Sequence, residues 1–132
     1  MAESETVGLD TGFFIRLLEG DEMAVKVWEG VLDGELRALT SSLVLFELRR
    51  IFLKLGKSDR WGDVKSAIVL NCEVVPIDIG VAEEGASVSH GTGLPAMDAL
   101  IYTCVRNAER FYTTNGSFEV LRRKKKPRIV RL

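Results

Sequence analysis

Cysteine and histidine are scarce in this chain, and long apolar runs are missing. Cys72, Cys104 and His90 are the only such residues among 132. The two cysteines show neither metal-ligand spacing nor a disulfide framework, which fits a reducing cytoplasm. No apolar stretch approaches the roughly 20 residues of a membrane helix, and no signal peptide precedes the first apolar run. The expectation is a soluble, cytoplasmic protein with no membrane segment. An excess of either charge is missing too. Lys and Arg number 18 against 19 Asp and Glu, a formal net charge of −1, so no global basicity argues for nucleic acid. Repeats, low-complexity tracts and linkers are also absent.

What remains is an ordinary globular composition, 46% apolar and 28% charged. At this length the chain is expected to close one core, a single domain over 1–132. Thr6–Asp10 reads as a short buried strand ending on an acid. Thr11 starts a helix that stops at Gly20, and Asp21 caps a second, with Val25, Trp28, Val31 and Leu32 at helical spacing. A strand over Leu36–Leu39 leads to the cap residues Thr40-Ser41-Ser42 and a helix through Leu55. A fourth helix opens at Asp59, with Trp61, Val64, Ile68 and Val69 as its apolar face. Glu73–Ile77 is a third strand, and its Pro76 argues for a strand end or sheet edge. Helices over about 80–89 and from Pro95 to about Ala108 follow. Strands at Phe111–Thr114 and Arg128–Leu132 flank a short helical turn at 118–121 and the basic run Arg122–Lys126. Short strands alternating with helices imply α/β architecture: three layers, a parallel sheet of four to five strands covered on both faces.

The placement of the acids is the informative feature. An isolated Asp98, one turn past Pro95, would merely answer a helix dipole. Asp10, however, closes the first strand, and Glu47 lies within two turns of the Ser41/Ser42 cap. Asn115 follows the fourth strand. All four reach the carboxyl edge of the sheet, where open parallel sheets bind ligands at a switch in strand order. Two carboxylates about 4 Å apart repel by about 4 kcal/mol at an effective dielectric near 20, so a cluster requires protons or a cation. Oxygen donors without imidazole or thiolate suit Mg²⁺ or Mn²⁺ rather than Zn²⁺. Carboxylate-held Mg²⁺ is the equipment of a phosphodiesterase.

In these residues the chain resembles the PIN-domain nucleases and, within them, the VapC-type toxins of toxin–antitoxin pairs. The resemblance rests on Leu9-Asp10-Thr11, Ser41–Leu48 around Glu47, Leu94–Ile101 around Asp98, and Phe111–Phe118 around Asn115. It implies a sheet of order 3-2-1-4-5 and Mg²⁺-dependent endonucleolytic cleavage of RNA. Asp10, Glu47 and Asp98 would be the metal ligands, with Asn115 the fourth member of the catalytic set. It further implies a homodimer and a small antitoxin that occludes the cleft. Three positions depart from the family pattern. Asn115 stands where an Asp is usual, Ser117 where a second Asp is frequent, and Gly12 where a small polar residue is usual. Asparagine adds no negative charge, so one firmly held metal is expected, with any second site relying on substrate phosphate.

Other residues read more plainly. His90 is expected at the surface or in a cap, and Cys72 and Cys104 as buried thiols. Trp28 and Trp61 belong to helical apolar faces. Arg49, Arg50 and Lys54 are either a solvated face or phosphate contacts. The basic run 122–126 either protects an edge strand or attracts a phosphate backbone. Besides the nuclease, two function classes stay open: a catalytically weakened PIN-like module binding RNA or protein, and an α/β phosphoryl enzyme. The last needs a second Asp two residues after its nucleophile, and Gly12 occupies that place.

Overall fold

A computed structural model describes residues 4–132. The expectations of one domain over 1–132 and of no leader include residues 1–3, which lie outside the described residues. The elements run β1 (Glu5–Leu9), α1 (Thr11–Leu18), α2 (Glu22–Leu32), β2 (Leu36–Ser41), α3 (Ser42–Lys54), α4 (Ser58–Asn71) and β3 (Cys72–Val75). Then come α5 (Ile79–Thr92), α6 (Ala96–Val105), β4 (Arg110–Thr113), a 3-10 turn (Gly116–Leu121) and β5 (Arg128–Arg131). The five strands pair in the order β3-β2-β1-β4-β5, every pairing parallel. This is the expected 3-2-1-4-5 sheet.

Central β1 is buried from Val7 to Leu9, as a strand covered on both faces must be. On one face Leu9 stands in register with Tyr112, and Phe13 of α1 packs against Tyr112 with ring centroids 6.1 Å apart. On the other face α6 presses directly on the backbone. A Cβ added at Gly8 would sit 2.7 Å from Val105 Cβ, so only glycine permits this approach. The two tryptophans behave as packing residues, Trp28 edge-on to Phe14 and Trp61 edge-on to Phe52.

Element ends differ from the sequence expectation by a few residues, each for a local reason. β2 continues through Thr40 and Ser41 because both pair with β3 and both are fully buried. The Thr40 hydroxyl donates to the Leu9 carbonyl at 2.7 Å, while the Ser41 hydroxyl still caps α3 by accepting from Leu43 N–H. α5 begins at Ile79 because Asp78 caps it through Val81 N–H at 2.8 Å. Pro95 takes the N-cap position of α6 rather than its first helical position, and the helix stops at Val105. β3 ends before Pro76 and is an edge strand, as the proline requires. Among the described residues no helix is long and apolar enough to cross a membrane.

Candidate active site

Asp10 is the first residue after β1 and the N-cap of α1. Its Oδ1 accepts from Phe13 N–H at 3.1 Å, and its Oδ2 accepts from the Thr113 hydroxyl at the end of β4. Only 5% of the residue is exposed. Burial pushes its pKa from 3.8 up to about 6; the two hydrogen bonds oppose the shift, and the charge of Glu47 adds to it. The fold therefore holds a carboxylate where negative charge is poorly compensated.

The other polar groups arrive from three more segments. Glu47, in the second turn of α3, accepts from the Thr11 hydroxyl beside Asp10. Asp98 lies in the first turn of α6, yet no side chain caps that helix. Its Oδ2 instead accepts from Asn115 Nδ2 at 3.2 Å and from the Ser117 hydroxyl at 2.8 Å. Asn115 is oriented by its own turn, because Oδ1 accepts from Ser117 N–H at 2.9 Å. Each carboxylate thus has one oxygen held by a hydroxyl: Asp10 by Thr113, Glu47 by Thr11, Asp98 by Ser117. Glu47 and Asp98 keep a second oxygen without a partner among the described residues.

Asp10, Glu47, Asp98 and Asn115 all line one cleft of about 470 Å³ at the carboxyl edge, between the ends of β1 and β4. The strand order reverses there, since β2 and β3 lie on one side of β1 and β4 and β5 on the other. Arg50 and Lys54 line the α3 wall of the same cleft, and Arg49 does not. The donor set is all oxygen, which suits a hard divalent cation, and the displaced Asp10 pKa marks charge that a cation would neutralise. As the side chains stand, no three His, Cys, Asp or Glu of the described residues close on one point. Asp98 is turned toward Asn115 and Ser117, and Glu47 toward Thr11.

Gly12 has a steric explanation. A Cβ there would lie 2.0 Å from Thr114 Oγ1, so the Thr114 side chain fills the space that a side chain at position 12 would need. A hydroxyl is therefore present on this wall, supplied by the residue after β4. At Gly116 the crowding is milder, since a Cβ would approach the end of the Arg131 side chain at 3.2 Å and a small shift of the guanidinium would relieve it. Arg131 donates to the Thr114 carbonyl at 3.0 Å and pairs with Glu119, bracing the loop that carries Asn115. Spacing alone does not single out Thr11, Thr113, Thr114 or Arg131. The signals for the threonines are their nearness to Asp10 and Asn115 in the chain and their place within the segments that carry the family resemblance.

The remaining residues stand apart from the cleft. His90 is exposed in the last turn of α5. Cys104 is buried beside Ser41 as expected, whereas Cys72 is only half-buried; desolvation still pushes its thiol up to about 12, so neither is a ready nucleophile. Arg122 is engaged with Glu119 and the Ile129 carbonyl. The rest of its basic run is exposed just before the edge strand β5.

No curated protein sequence matches the chain. Its fold is similar to VapBC2 from Rickettsia felis bound to a DNA fragment from its promoter, with a TM-score of 0.73 at 18% identity over 96% of this chain and 98% of that one. It is also similar to DNA-bound VapBC from Salmonella typhimurium, with a TM-score of 0.70 at 16% identity over 96% and 98%. A toxin–antitoxin complex from Klebsiella pneumoniae gives a TM-score of 0.65 at 18% identity over 94% and 95%. The family profile described as PIN domain matches residues 7–123, a span that takes in all four polar groups of the cleft. With its sheet order, its acidic cleft and that match, the chain belongs to the PIN-domain family, a family of nucleases.

Proposed function

We propose that this protein is an endoribonuclease dependent on Mg²⁺ or Mn²⁺, of the VapC type, acting as the toxin of a toxin–antitoxin pair. The observation that carries the reading is the meeting of Asp10, Glu47, Asp98 and Asn115, from four separate segments, in one cleft at the switch in strand order. Asp10, Glu47 and Asp98 would hold the cation. A hard divalent cation bound by them supplies a Lewis acid that activates water and steadies the leaving oxygen. The chain's own groups prepare that chemistry. Thr113, Thr11 and Ser117 each fix one carboxylate, and Asn115 adds an amide donor at Asp98 without adding charge. Arg50 and Lys54 attract the phosphodiester chain to the cleft wall. Membership of a nuclease family supports the reaction class. The fold's similarity to toxin–antitoxin complexes supports a small antitoxin as partner; a cytoplasmic homodimer is proposed with it.

One observation favours a second reading, a weakened PIN-like module that binds RNA or protein. Asn115 and Ser117 both bond to one oxygen of Asp98, which lessens its demand for a cation although the other oxygen has no partner among the described residues. Incubating RNA with the protein in Mg²⁺, in Mn²⁺ and in chelator decides between the two. The nuclease reading expects cleavage in metal, none in chelator and none from an Asp98→Asn variant that retains the parent's fold. RNA that stays intact under all conditions while still binding establishes the module instead.

A further inference from the structure

Helix α3 carries an aromatic residue whose position the packing of the core does not explain. Of six phenylalanines, five are buried and Phe46 alone is exposed, at 51%. It forms no aromatic pair among the described residues, and the Arg50 guanidinium carbon lies over it, 5.9 Å from the ring centroid. Arg50 in turn lines the cleft, as do Glu47 and Lys54. Residues 47, 50 and 54 fall at helical spacing, so one stripe of α3 runs from a cleft carboxylate through two cations. Neither Arg50 nor Lys54 is paired with a carboxylate among the described residues. The cleft is therefore acidic at its centre and basic on this wall, with a flat apolar ring at the edge of the basic part.

We propose that Phe46 and Arg50 form a nucleobase-stacking subsite next to the reacting phosphate, with Lys54 on the neighbouring phosphate. The inference rests on the ribonuclease reading and adds which residues hold the base beside the cleavage point. The polarity of the stripe favours this occupant. A phosphodiester chain whose reacting group is drawn to the acidic centre leaves its next phosphates beside Arg50 and Lys54. The base between them meets a ring and a guanidinium plane, both of which stack on unpaired bases. A duplex has no free base face to offer, so the subsite selects a strand whose base can turn out.

The test uses the full chain in an Asp98→Asn background, so that the strand survives, with a short single-stranded RNA carrying 2-aminopurine at successive positions. Binding should quench the fluorophore at one position. Phe46→Ala should abolish that quenching and weaken binding about tenfold, the order of one stacked base, while Phe46→Trp should restore both. Lys54→Ala should lower the salt dependence of binding by about one phosphate contact, and Arg50→Ala, which removes the guanidinium face of the subsite, should weaken the quenching as well. Arg49→Ala, on the same helix but away from the cleft, should change neither readout, and all variants should melt with their background. Quenching that persists in Phe46→Ala overturns the subsite. So does a Phe46→Ala change that splits a dimer in sedimentation while RNA binding stays intact, because the ring then serves an interface between copies. If the unsubstituted protein cleaves RNA but Phe46→Ala binds normally, only the subsite falls. If the unsubstituted protein neither cleaves nor binds RNA, the ribonuclease reading falls with it.

Discussion

Replacing Asp10 by Asn removes a charge that the fold holds at a cost, and the size of that cost follows from its surroundings. The carboxyl ordinarily titrates at 3.8 and in the folded protein at about 6, chiefly because it is buried. Below pH 3.8 it is neutral in both states, and its contribution to stability is fully present. As pH rises toward 6 the unfolded chain ionises first, and that contribution is lost. A shift of about two units at about 1.4 kcal/mol each is about 3 kcal/mol in full, and because the unfolded carboxyl is already more than half ionised at pH 4, about 2 kcal/mol of it is lost between pH 4 and pH 7 in the metal-free protein through this group alone. Because the residue is only 5% exposed, solvent screening does little to reduce the figure. Asparagine keeps an oxygen for Phe13 N–H and carries no charge at either pH. Urea melts in chelator should therefore show the variant gaining on the parent by about 2 kcal/mol between pH 4 and pH 7, with other carboxylates cancelling in the difference. Mn²⁺ at pH 7 should stabilise the parent, by about 2.7 kcal/mol at a hundred times its dissociation constant, and the variant less. A difference that is flat with pH would refute the reasoning. So would a parent that gains on the variant as pH rises, which is how an exposed helix-capping carboxylate behaves.

Two other substitutions examine the positions where this chain departs from the family pattern. Asn115→Asp places a second carboxylate where an amide now donates to Asp98 at 3.2 Å; it should destabilise the metal-free protein by on the order of 1 kcal/mol after relaxation and screening. The same variant should tighten Mn²⁺ binding about tenfold by calorimetry, and an unchanged affinity would remove position 115 from the ligand set. Gly12→Ala should cost about 1–3 kcal/mol by overpacking against Thr114. Thr114→Ala should relieve most of that cost in the double variant, and strictly additive melts would show that the two side chains do not compete for the space.

Much of the fold was legible because its signals act within one helical turn or along one strand. Asp21 and Ser41 cap the helices they were expected to start. Glycines follow the ends of α1, α2 and α3, where Gly20, Gly34 and Gly56 adopt positive φ. Pro76 lies just past the edge strand β3. The carboxyl-edge placement of Asp10, Glu47, Asp98 and Asn115 was legible for the same reason, because a residue's distance from its own strand end or helix cap is a local quantity. Strand limits were less so, since Thr40 and Ser41 look like cap residues until β3 pairs with them.

What each polar group does at the cleft was decided by contacts between distant segments. The hydroxyl on Asp10 comes from 103 residues away, and the amide on Asp98 from 17. Gly12 reads as a lost polar residue until the Thr114 side chain is found in its place. The exposure of Phe46 depends on which face of α3 the sheet leaves open. A sequence determines the period and the ends of its elements through short-range sterics and capping. Which hydroxyl meets which carboxylate, and how far burial raises a pKa, depends on how the register of β1 against β4 aligns two segments that share no local interaction.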